Sequence, residues 1–192
     1  MSRSSSRLFT LCLLVGVGIA PRDATAGEPN PVIAIRVEIA NVPKGVNLLK
    51  AQHLTTVIYE RAGVTLHWTE DTAAPGRSLT IVLTTIATAP AGIVPEAMGV
   101  APSPGDGSRG TTAYVFMDKV RSFTAAYRVA AEYVLACAMA HEIGHLLLPN
   151  AHSADGIMRA RWYPALFPPR APGVPGFPPE QARLLRLCVQ SR

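Results

Sequence analysis

Residues 141–145 read His-Glu-Ile-Gly-His within a stretch of helical composition. Positions i and i+4 lie about 40° apart around an α-helix, so His141 and His145 face the same way. Two imidazoles one turn apart can hold one metal ion, and zinc is the ion that such pairs most commonly suit. Glu142 is rotated about 100° from His141, on the side toward His145. It is placed to reach a water on that ion rather than to bind the ion itself. A carboxylate there can take the proton of a zinc-activated water and hand it to a leaving amine. The plain alternative is two helical histidines with no metal.

A hydrolytic zinc site needs a third protein ligand and an open fourth position. His152 is the one remaining histidine downstream. Pro149 stops the helix and Asn150 tolerates a left-handed turn, so the chain can fold back beneath the metal. Asp155, and more remotely Glu180, are alternative ligands because carboxylates also bind zinc. His53 and His67 lie far upstream and read as ordinary helix and strand residues.

The elements that must position these residues are legible from periodicity. Val32–Ile39 reads as a strand. Asn47–Arg61 carries Leu48, Leu49, Leu54, Val57 and Ile58 at helical spacing, and Gly63 follows as a stop. Val64–Trp68, Leu79–Ile86 and Thr111–Met117 read as strands, with a turn between Ala73 and Ser78. Ala89–Gly110 is a loop rich in proline and glycine. Within it Met98–Ala101 suits an edge strand, where proline and glycine are tolerated. Ser122–Leu147 predicts one long helix, without proline or glycine until Gly144. A proline-rich stretch leads to a final helix, Glu180–Val189, with Pro178 and Pro179 at its start. The order predicts an α/β (α+β) domain: one mixed twisted sheet, two main helices, the zinc site on the second, and an irregular C-terminal part ending in a helix.

His141–His145, His152-Ser153 and Gly156-Ile157-Met158 together resemble the catalytic core of a metzincin. The serine after the third histidine points to the matrixin-like branch, in its short bacterial secreted form. The specific motifs span residues 141–158, and the strand and helix order upstream is also similar. The resemblance implies a zinc endopeptidase with His141, His145 and His152 as ligands and Glu142 as general base. It implies that Met158 forms a methionine turn under the histidines; a core methionine is the plainer reading. It also implies that Gly99, Val100 and Ala101 hold an extended peptide at a sheet edge. The chain departs from the pattern at Leu148, which stands where a glycine is expected, and His152 comes one residue late. Leucine resists positive φ, so the turn is expected to move toward Asn150. Tyr163 is spaced wrongly from Met158 to stabilise an oxyanion and reads as packing. Trp162 and Tyr163 suit either a substrate-pocket wall or plain core. Asp106 between glycines is too little for a calcium loop.

The 192 residues suit one domain, and 48% hydrophobic content argues against wholesale disorder. Arg3 and Arg7 precede an apolar run, Leu8–Ala20, and Ala24-Thr25-Ala26 offers small residues for cleavage before Gly27. Residues 1–26 therefore read as a signal peptide and 27–192 as one domain, secreted to the periplasm or beyond. A membrane anchor is the alternative; Cys12 lacks the small residues that would make it a lipid anchor. Losing Arg3, Arg7, Arg22 and Asp23 lowers the formal charge from +5 to +3. That weak, scattered charge suggests no nucleic-acid partner. After cleavage no membrane association is expected, and a peptide or protein substrate is the expected partner. The oligomeric state is not legible. Cys137 lies one turn before His141, too far along the axis to share its ion. It is expected near Cys188 across two packed helices, as a disulfide or as two separate thiols. Competing function classes are a non-catalytic zinc-binding module and an interaction protein whose motif is coincidental.

Overall fold

The structure, a computed structural model, describes residues 29–40, 45–70, 78–88, 97–105, 108–148, 152–162 and 174–192. The expected signal peptide, the Ala73–Ser78 turn apart from Ser78, Asp106, Pro149, Asn150 and Tyr163 lie outside these residues.

The chain runs β1 (Val32–Ile39), α1 (Leu48–Arg61), β2 (Thr65–Thr69), β3 (Ser78–Thr84), a 3₁₀ turn (Ile86–Thr88), β4 (Gly99–Val100), β5 (Thr112–Phe116), α2 (Met117–Tyr127), α3 (Ala131–Leu147) and α4 (Pro179–Gln190). The sheet order is β2-β1-β3-β5-β4. Its first four strands are parallel and β4 alone runs antiparallel, against β5. The fold is thus a mixed α/β arrangement with one five-stranded sheet and four helices among the described residues.

One face of the sheet carries the core. Ile33 and Ile35 of β1, Leu66 of β2, Leu79, Ile81 and Leu83 of β3, and Ala113 and Val115 of β5 are all buried. Their period of two puts them on one side, and the register aligns Ile33 with Leu66, Ile35 with Leu79 and Leu83 with Val115. Helices α1 and α3 cover that side. The other face holds Arg36, Glu38, His67, Thr80, Thr112 and Tyr114. Arg36 there pairs with Glu38 and reaches the Thr80 hydroxyl.

Helix α1 begins at Asn47, whose side chain caps the Lys50 amide at 3.0 Å. It ends where Gly63 adopts φ +76, a value a side chain resists. Helix α3 is buried almost all round, with Val134–Gly144, Leu146 and Leu147 inside. Such a helix belongs to a core, not a surface. Its alanines let α1 approach closely enough for side chains to reach its backbone. The Thr55 hydroxyl lies 2.9 Å from the Ala51 carbonyl and 3.2 Å from that of Ala136, and Tyr59 donates to the Ala140 carbonyl at 3.0 Å. The far end of α3 is held by two arginines, Arg109 donating to the Leu147 carbonyl and Arg192 to that of Leu146. These close orphan acceptors at the helix C-terminus.

One expectation is corrected and one open alternative is decided. The single long helix over Ser122–Leu147 is two helices, because Arg128 turns left-handed at φ 54 and ends α2, and Ala130 is extended and starts α3. Helix α2 also begins earlier than expected, directly on β5, with Met117 and Val120 buried. The described residues therefore hold four helices rather than two main ones and a terminal one. Second, Cys137 and Cys188 are both free thiols.

Cys137 is wholly buried and burial pushes its thiol well above the ordinary range, whereas Cys188 is half-buried. A thiolate-seeking reagent should therefore label Cys188 in the native protein and reach Cys137 only on denaturation. Rapid native labelling of Cys137, mapped by peptide mass, would contradict this packing.

Candidate metal centre

The three histidines converge. One ligand nitrogen from each of His141, His145 and His152 lies within 4.8 Å of the others. The Nε2 atoms of His141 and His145 are 3.0 Å apart. Two nitrogens bound to one tetrahedral zinc at ~2.05 Å stand about 3.3 Å apart, so this spacing fits the ion. Ring centroids are 4.6 Å apart for His141 and His145, 4.8 Å for His145 and His152, and 5.6 Å for His141 and His152. His141 is buried, His145 half-buried and His152 exposed, so the cluster opens on the His152 side.

The surroundings fix the rings. His141 Nδ1 lies 2.8 Å from the Ile157 carbonyl oxygen, which can only accept. Nδ1 therefore carries the proton, and Nε2 presents its lone pair to the cluster. Burial lowers the pKa of His141, with the Ile157 carbonyl pulling the other way. Burial and then the neighbouring imidazoles lower His145 to about 4. Neutral imidazoles are what a metal requires. Trp162 stands edge-on to His141 at 5.6 Å.

The loop after His152 is braced by its own backbone. The Ser153 amide donates to the Met158 carbonyl at 2.9 Å, and its hydroxyl to the Asp155 carbonyl at 2.6 Å. Gly156 turns at φ +77 and packs against the Gly176 carbonyl, which accepts from Ile157 at 2.9 Å. Met158 is fully buried beneath α3. A Cβ at Gly144 would lie 2.5 Å from its sulfur and 3.5 Å from Phe177, so a larger residue at 144 would force the end of the Met158 side chain out of its place beneath α3. Phe177 in turn meets Tyr59 edge-to-face at 5.0 Å.

Glu142 is 4% exposed, and its Oε2 has no hydrogen-bond partner. Burial raises its carboxyl to about 8. A cation held by the adjacent histidines would reverse that shift, so the donor set and the lone carboxylate fit one divalent ion together. The edge strand lies directly against Glu142: a Cβ at Gly99 would fall 2.7 Å from its Cγ. Gly99 and Val100 form that edge, opposite Val115 and Tyr114, and Ala101 packs on the core just beyond it.

Sequence reasoning thus found residues that the fold gathers. It did not find the Ile157 carbonyl, Tyr59 or Phe177, for which no local signal exists. Gly144 had a signal, since glycine inside a helix costs about 1 kcal/mol and needs a reason. The alternative ligands stand apart: Asp155 is exposed and paired with Arg159, and Glu180 is exposed at the start of α4. His53 and His67 are exposed on α1 and β2, outside the cluster. Leu148 is extended at φ −105, so the helix ends without a left-handed turn at that position. No family model matches the chain, and no curated protein shows a significant match to it.

Purified protein should carry one equivalent of zinc by elemental analysis. His152→Ala should weaken metal binding by more than the ~10–100-fold typical of losing a hydrogen bond to a ligand. Asp155→Ala should leave it near wild type; the reverse ranking would move the third ligand.

Proposed function

We propose that this chain is a secreted, metzincin-like zinc endopeptidase that hydrolyses peptide bonds. One observation carries the reading: a buried carboxylate with an unpartnered oxygen sits one residue from the first of three convergent histidines, against a sheet edge. Burying an unpaired carboxylate costs several kcal/mol. A site that held metal only for stability has no use for it, which weighs against a non-catalytic zinc module.

His141, His145 and His152 would hold the ion, His141 through Nε2 because its Nδ1 proton is committed to Ile157. When bound, the ion supplies Lewis acidity, easing deprotonation of water and polarising a carbonyl. Glu142 takes the proton from water in the site and passes it to the leaving amine. Among the described residues β4 is paired on one side only, by β5. Its free side suits an extended peptide, which would add as a further strand along Gly99, Val100 and Ala101. Met158 would supply an apolar floor, and Trp162, edge-on to His141, would wall one side of the substrate site. The antiparallel edge strand next to four parallel ones supports the metzincin resemblance drawn from residues 141–158. Secretion rests on the composition of residues 1–26; among the described residues no helix is long and apolar enough to cross a membrane.

Glu142→Gln should retain one zinc and lose ~10²–10⁴-fold in turnover against a proteome-derived peptide library. Zinc-loaded wild type that cleaves nothing in that library would favour the binding module instead. A Glu142→Gln variant with near-normal turnover would remove Glu142 from the chemistry.

A further inference from the structure

Resting on the reading of Glu142 as the base, we infer that Gly99 is a positioning residue that acts through it. The absence of a side chain at 99 lets the edge strand lie in contact with the Glu142 carboxylate, and so sets the distance between a bound peptide strand and the group that takes the proton.

Gly99 is not among the residues with positive φ, so its backbone does not call for glycine. Space does. A Cβ there would lie 2.7 Å from Glu142 Cγ, 2.8 Å from Glu142 Oε1 and 2.5 Å from the Tyr114 carbonyl oxygen. Real Cβ atoms essentially never approach so closely, so either the carboxylate or the strand must move. Glu142 has little freedom to yield, being 4% exposed on a helix buried on both sides of it. The strand has little freedom toward the sheet, because Val100 and Gly99 pair with Tyr114 and Val115 and the Met98 carbonyl accepts from Phe116 at 2.9 Å. Gly99 is thus the point at which the sheet edge and the carboxylate gauge each other. Displacement by the width of a methyl group is enough to misalign a proton transfer, and a 1 Å error in such geometry can cost about 10²-fold.

A double-mutant cycle separates this role from a merely structural one. Thermal midpoints are measured for wild type, Gly99→Ala, Glu142→Ala and the double variant, each with excess zinc and each in chelator. The Tyr114 clash is present in both backgrounds and cancels. Gly99→Ala should lower the midpoint by about 4 °C more when Glu142 is intact than in the Glu142→Ala background. Zinc content of Gly99→Ala should stay at one equivalent while kcat falls, and Gly99→Ala should lower kcat no further once Glu142 is gone. Equal midpoint losses in both backgrounds overturn the inference. If Gly99→Ala does not fold alone, a folded double variant supports it. Two unfolded variants overturn it, since the Tyr114 carbonyl alone would then exclude the side chain. A coupled thermal cycle in protein that cleaves no peptide upholds the contact and removes only the peptidase reading.

Discussion

The structure turns on one constraint: the helix that carries the polar cluster is itself the centre of the apolar core. Helix α3 is buried from Val134 to Gly144, yet it must present two imidazoles and a carboxylate. Polar groups in such surroundings are tolerable only when partnered. The neighbouring elements supply partners to the helix backbone and to His141, and leave Glu142 Oε2 without one. Strand-side and α1-side packing come from alanines and aliphatics, Tyr59 and Thr55 tie hydroxyls to the helix backbone, and the Ile157 carbonyl holds His141 from below. The loop from His152 to Met158 is shaped by what α3 leaves exposed beneath Gly144.

Electrostatics and packing pull in opposite directions at Glu142. Tyr59, whose hydroxyl lies deep in the core, is pushed far toward its protonated form first by burial and then by the nearby Glu142 charge. It therefore remains a donor to Ala140 and cannot compete with the carboxylate for a proton. Apolar packing seals the carboxylate from solvent, and no side chain in the described residues neutralises it. Without a cation nearby that burial holds the group in its protonated, neutral form, and a cation in the histidine cluster would favour the carboxylate instead.

Much of this was legible in the sequence, for identifiable reasons. The three histidines follow from helix period and a short return loop, and β1 follows from its run of β-branched residues. The edge position of Met98–Ala101 follows from flanking prolines and Gly99. The break between α2 and α3 was not legible. It falls at Tyr127-Arg128-Val129, with no glycine or proline, and Arg128 adopts a left-handed conformation that sequence gives no reason to expect. Tertiary packing of Met117, Val120 and Val134 outweighs local preference there. The second-row partners were invisible because each joins residues far apart in sequence, such as Tyr59 with Ala140 and Gly156 with Gly176. The disulfide question turned on geometry between two helices that no spacing rule fixes.

The burial gradient across the histidines has a kinetic side. His141 is enclosed, His145 half-enclosed and His152 exposed on a loop braced mainly by Ser153, Asp155 and Met158. Were a small cation held there, its exchange with solvent would be sequential, with the His152 arm the first to let go and the last to close. Opening that arm needs only the loss of a few loop hydrogen bonds, a local event far below global unfolding in free energy. The residence time of an ion in the cluster and the stability of the fold would in that sense be governed by different residues.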